Sequence, residues 1–155
     1  MAPSPDVLDL GPAWLAASRS CLDRVAALDE PAAATARHAE LLLGILALDL
    51  AFAAARVRLL DPLRGRIALA ALGPVDVATF EEARERVRAV RNAATHLADR
   101  VSGGLAVHLE LDAAGVGARQ GGAEARLSLA EWSHWLEVLE PVLSDAGSGA
   151  AIGSA

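Results

Sequence analysis

The chain has no tyrosine, only two phenylalanines and a single cysteine among its 155 residues, and all 14 of its basic residues are arginine. Each shortage excludes something. One cysteine, Cys21, cannot build an internal disulfide framework, and no charged-then-apolar leader precedes the first turn signals. The expected compartment is therefore a reducing cytoplasm, with Cys21 as a small apolar filler. Positive charge is also short: 14 arginines against 20 carboxylates give a formal charge of −6. Such a surface does not coat DNA or an anionic membrane by bulk electrostatics, so any phosphate recognition must be local. The most apolar stretch, AELLLGILALDLAFAAA, is punctuated by Glu40 and Asp49 and followed by Arg56. Its uninterrupted part falls short of the ~18 residues a bilayer span needs, and no membrane helix is expected. Metal-ligand spacing is missing as well, since His38, His108 and His134 stand isolated from one another. Gly103-Gly104 and Gly121-Gly122 lack the strand-to-helix context of a phosphate loop, and there is neither a Gly-x-Ser-x-Gly elbow nor a paired-cysteine motif. No metal and no cofactor is expected.

What is present favours helix. Alanine and leucine dominate, and 54% hydrophobic content over this length suits one compact domain with a real core. Residues 1–11, rich in proline and aspartate, read as a flexible lead-in; residues 12–144 form the domain; the tail 145–155, DAGSGAAIGSA, has the composition of a flexible end. Pro12 suits the first turn of a helix that carries Trp14, Ser18, Cys21, Leu22, Val25 and Leu28 on one face and stops at Asp29-Glu30-Pro31. Pro31 opens a second helix that runs to about Leu60. It is apolar nearly all round, as expected of a central core helix or one partly buried against a second subunit. Between Pro62 and Pro74 the pattern allows two turns of helix at most. A third helix, capped by Asp76 or Thr79, places Phe80, Ala83, Val87, Val90, Ala94, Leu97 and Val101 at threes and fours and ends at Gly103-Gly104. LAVHLEL then alternates strictly, which predicts a short β-hairpin pairing 105–111 with 116–119 or 123–127. Ser128 with Glu131 has capping-box spacing, opening a last helix with Trp132, Trp135, Leu136 and Leu139 inward until Pro141 bends or ends it. The expected class is mainly α, four main helices in a small bundle with a hairpin before the last.

The third helix also carries RNAATH, residues 91–96. Advancing each residue by about 100° puts Asn92 and His96 nearly opposite the apolar stripe, with Arg88 and Asp99 on the same outward strip and Arg91 at its edge. On this reading the fold's own interior does not require these groups. Arg84, Arg86, Arg88, Arg91 and Arg100 concentrate on this helix and could form a phosphate-attracting groove, with Arg84 and Arg88 touching substrate. Glu81, Glu82, Glu85 and Asp99 interleave, so pairing along the helix competes with that use.

An arginine followed by asparagine, with a histidine five positions after the arginine, resembles the motif of the HEPN superfamily, the higher eukaryotes and prokaryotes nucleotide-binding domains. The helical frame from Trp14 to Leu143 resembles that superfamily's small bundle, in which the motif lies on a late long helix; a hairpin between the motif helix and the last helix would be an insertion. The resemblance implies a metal-independent endoribonuclease, a hydrolase of the toxin or defence kind, with a composite active site between two copies of the chain. Arg91 and His96 would be catalytic, and Asn92 would orient the imidazole or the scissile phosphate. The residue types suit that chemistry: histidine exchanges protons near neutrality, and arginine presents a permanently charged planar fork to phosphate. Expected partners are a second copy, RNA, and an antitoxin or regulatory protein. The alternative is a non-catalytic HEPN-like helical dimer that binds a nucleotide, RNA or a protein; a third reading is a small structural helical protein with a coincidental motif.

Overall fold

A computed structural model describes residues 10–27, 34–95, 107–112, 115–120 and 123–144. In chain order these form α1 (Gly11–Ala27), α2 (Ala34–Leu60), α3 (Gly65–Ala71), α4 (Val77–Thr95), strands β1 (Val107–Asp112), β2 (Gly115–Gln120) and β3 (Ala123–Ser128), and α5 (Leu129–Leu143). The chain is mainly helical, with a small antiparallel sheet before its last helix. The segment after Pro62, where the pattern allows two turns of helix, is a fifth helix, the seven-residue α3, and one feature goes beyond the sequence pattern. The hairpin β1–β2 gains a third strand, because β3 also pairs with β2 rather than serving as an alternative to it.

Long apolar α2 is the centre, packing against α1, α3, α4 and α5. Leu41, Ile45, Leu48, Ala51, Phe52 and Ala55 are buried along it, so its all-round apolarity is largely used within one chain. The few aromatic rings concentrate where helices meet. Phe52 of α2 lies 5.4 Å from Phe80 of α4 and 5.3 Å from Trp135 of α5, in tilted contacts that stack best off-face. Trp132 fills the α1–α2–α5 junction, where a methyl group on Gly44 would come within 2.5 Å of its ring, so α2 needs a residue without Cβ there. The same junction explains Ser18 on the apolar face of α1. Its hydroxyl donates to the Gly44 carbonyl at 2.9 Å and accepts from Trp132 Nε1 at 2.8 Å, so every polar atom in that buried chain has a partner.

The helix starts follow their local chemistry. Asp76 caps α4, its Oδ1 accepting the Thr79 N–H at 2.7 Å, and Ser128 caps α5 by accepting the Glu131 N–H at 3.0 Å. Gly73, with φ of 70°, closes α3 and turns the chain into α4. α5 continues through Pro141 to Leu143: a proline so near the end removes little of the helical ladder, and Val142 and Leu143 are buried beyond it. The sheet lies on α4, burying Val116 and Ala118 of β2 and Leu127 of β3. At Gly115 a Cβ would fall 2.2 Å from the Leu127 carbonyl, so the close β2–β3 approach requires glycine.

Candidate functional site

α4 buries Phe80, Ala83, Arg84, Val87, Val90 and Ala93. That face is rotated slightly from the one the spacing predicts, with Ala93 rather than Ala94 at its end, and the rotation brings Arg91 round toward α2. Arg91 Nε donates to Asp49 Oδ2 at 3.0 Å, and the Asp49 side chain is only 6% exposed against 26% for Arg91. This corrects the expectation that the interior has no use for Arg91. A carboxylate in the middle of an apolar helix must be matched by charge and hydrogen bonds, and Arg91 supplies both. Asp49 is the residue that the sequence argument missed in this role. Its signal was present: a lone carboxylate inside an apolar run demands a cation, and an arginine on the edge of another helix's apolar stripe is the residue able to reach it.

The remaining candidates are placed as follows. Asn92 is half-buried next to Arg91, and Arg88, one turn before it, is exposed and has no ion pair among the described residues. His96 and Arg100 lie outside the described residues, as does Asp99. Arg84 does not project to solvent: its side chain is 10% exposed and held by Glu81 at 3.1 Å and Glu85 at 2.9 Å. Arg86 reaches Glu131 of α5 at 2.6 Å. Three of the four described arginines of the sequence-derived groove are therefore paired, Arg91 while still a quarter exposed, and Arg88 is the one with no ion pair among the described residues.

Anchoring through Nε has a chemical consequence. Nε sits at the inner edge of the guanidinium, so a bond there fixes the plane of the group and the direction of its outer fork. Arg91 is thus a preoriented cation at the C-terminal part of α4, with the carboxylate that orients it on a different helix.

Elsewhere, burial and then the neighbouring Glu40 carboxylate push the Cys21 thiol up, so this lone cysteine stays protonated and unreactive near neutrality. No group of three or more metal-binding side chains comes together among the described residues, and none of the described helices is long and apolar enough to cross a membrane. No protein family, curated protein or solved structure matches this chain.

Proposed function

We propose that the chain is a metal-independent endoribonuclease of the HEPN type, acting as a toxin or defence component, with Arg91 and His96 as its catalytic residues in a site completed by a second copy. The observation that carries this reading is the seating of Arg91. A charged fork fixed by a buried carboxylate, yet a quarter exposed, suits a group that must hold a phosphate without reorganising. It begins the RNAATH segment, whose histidine follows five residues later.

In the proposed reaction His96 takes the proton from a ribose 2′-hydroxyl as that oxygen attacks the adjacent phosphorus. Arg91 holds the charge growing on the non-bridging oxygens, and the bond to the 5′-oxygen of the next nucleotide breaks. That 5′-oxygen leaves with a proton from a general acid, for which the partner copy's motif is the source. The products are a 2′,3′-cyclic phosphate and a 5′-hydroxyl. Asn92 orients the imidazole or the phosphate, and Arg88 is the exposed arginine placed to guide the strand.

The test is cleavage of a panel of single-stranded RNAs in EDTA, with a 2′-deoxy-blocked strand as control. Cyclic phosphate ends from the wild type, no cutting of the blocked strand, and a drop of about 10²-fold or more for His96→Ala are expected. A second reading, a non-catalytic helical dimer that binds a nucleotide, RNA or a protein, is favoured by a different observation: Glu81, Glu85 and Glu131 neutralise Arg84 and Arg86, leaving α4 little basic surface for a strand. Wild-type protein that binds through this strip but leaves every RNA uncut would establish that reading instead.

A further inference from the structure

Nine large apolar side chains are exposed among the described residues, and six of them fall between positions 57 and 77: Val57, Leu60, Leu63, Ile67, Leu69 and Val77. They surround the end of α2, the turn into α3, α3 itself and the first residue of α4. Leu63, at 89% exposure, contributes nothing to the core. In the same region a groove of about 330 Å³ is lined by Leu59, Leu60, Gly65, Leu69 and Val77 together with Arg56, Arg66 and Glu81. Scattered exposed leucines are ordinary; a concave apolar groove walled by three of these exposed side chains, Leu60, Leu69 and Val77, marks an interaction surface.

The charges say what fits it. The one carboxylate lining the groove, Glu81, and the two that flank it in sequence, Asp61 and Asp76, are already engaged. Asp61 accepts the backbone N–H groups of Leu63 at 2.7 Å and Arg64 at 3.2 Å, Asp76 caps α4, and Glu81 holds Arg56 and Arg84. Arg64 and Arg66, by contrast, are exposed and have no ion pair among the described residues. The unmet electrostatic demand of this face is for negative charge, in a chain whose total is −6. We infer that the groove between α2, α3 and the start of α4 is the docking site for an amphipathic helix of a partner protein, its apolar face seated on Leu60, Leu69 and Val77 and its acidic flank against Arg64 and Arg66.

A two-fold pairing of this face with the same face of a second copy is disfavoured because the groove's own carboxylate, Glu81, is already held by Arg56 and Arg84. An anionic bilayer is disfavoured because the whole acidic chain would face an extended negative plane, whereas a peptide meets only the patch. A groove also suits an inserted side chain better than a flat lipid surface does. The site is separate from the ribonuclease reading: Val77 and Arg91 are 14 residues apart on α4, about 21 Å along its axis.

The test uses the full chain and two synthetic helical peptides of about 18 residues with the same leucine stripe at i, i+3, i+4 and i+7, one flanked by glutamates and one by lysines. Fluorescence anisotropy should show the glutamate peptide binding and the lysine peptide at least about tenfold weaker, with the preference reversed in Arg64→Glu/Arg66→Glu protein. Leu63→Ser, which leaves the fold untouched, should weaken the glutamate peptide severalfold, whereas Arg88→Ala should not. Equal binding of both peptides, binding of neither, co-sedimentation with phosphatidylglycerol vesicles in preference to peptide, or a concentration-dependent doubling of mass abolished by Leu63→Ser would each overturn the inference. RNA cleavage, measured on the groove variants Leu63→Ser and Arg64→Glu/Arg66→Glu, should be unchanged, so the outcome here does not depend on the catalytic reading.

Discussion

The two ends of α4 handle charge in opposite ways. Near its C-terminal end Arg91 is drawn toward the core and answered by a buried carboxylate, Asp49, on α2. At its start, Val77 borders an open apolar groove whose nearby Arg64 and Arg66 are exposed with no ion pair among the described residues. The contrast separates two kinds of polar residue that look alike in a sequence. A charge paired across helices contributes to orientation and to the uniqueness of packing; an unanswered charge beside apolar surface contributes to recognition. Substitutions at the two ends should therefore register in different measurements, stability at one and binding at the other.

The largest expected effect is at the paired end. Asp49→Ala removes the buried carboxylate that Arg91 Nε bonds and should cost about 3 kcal/mol in urea unfolding, the low end for a broken buried pair because Arg91 is a quarter exposed. Removing both charges together, Asp49→Leu with Arg91→Leu, should recover most of that loss, since well-packed apolar replacements of buried pairs are often neutral or better. Arg91→Ala carries a similar penalty to Asp49→Ala. A loss of activity in Arg91→Ala therefore has to be read beside its unfolding curve, because Arg91 also answers a buried carboxylate.

A smaller effect is expected at the start of α4. The backbone N–H of Thr79 and then its hydroxyl hold the Asp76 carboxyl below its ordinary 3.8. Because the folded value is the lower one, this cap stabilises the protein fully above the ordinary carboxylate range and fades as pH falls from there through the lowered folded value. Asp76→Ala should remove that acid-side slope while leaving the pH dependence above pH 6 unchanged, which thermal unfolding across pH 2–7 would show. The smallest effect is expected at the groove: Leu63→Ser should move stability by no more than about 0.5 kcal/mol, as surface changes away from packed features do.

Much of the frame was legible in one sequence because it rests on local rules. The 3.6-residue spacing of Ser18, Cys21 and Val25, the cap at Ser128, and the alternation before it all act over a few residues, although Leu15 rather than Trp14 is the buried residue at the start of that face. The features that were not legible depend on long-range pairs. The hydrogen-bond chain from Trp132 through Ser18 to Gly44 joins three helices, and nothing near Ser18 announces it. The third strand arises because both segments that could have paired with β1 are strands, one on β1 and the other on the far edge of β2, an arrangement that alternation alone leaves open. Arg91 was assigned to an edge because a helical wheel knows its own helix and not Asp49, 42 residues earlier. Arg84 shows the same limit: interleaved glutamates were recognised as competitors for the arginines, but only packing decides that this one is sealed between Glu81 and Glu85.

The measurement that bears most directly on the account is the rate at which His96→Ala cleaves a single-stranded RNA in EDTA, taken with the urea unfolding curve of the same protein. His96 is the better residue to test than Arg91, whose loss also breaks the pair with Asp49. The account predicts wild-type cleavage with 2′,3′-cyclic phosphate ends, and a fall of about 10²-fold or more in His96→Ala at unchanged stability. Wild-type protein that leaves the RNA intact, or a His96→Ala variant that cuts at the wild-type rate, would contradict it.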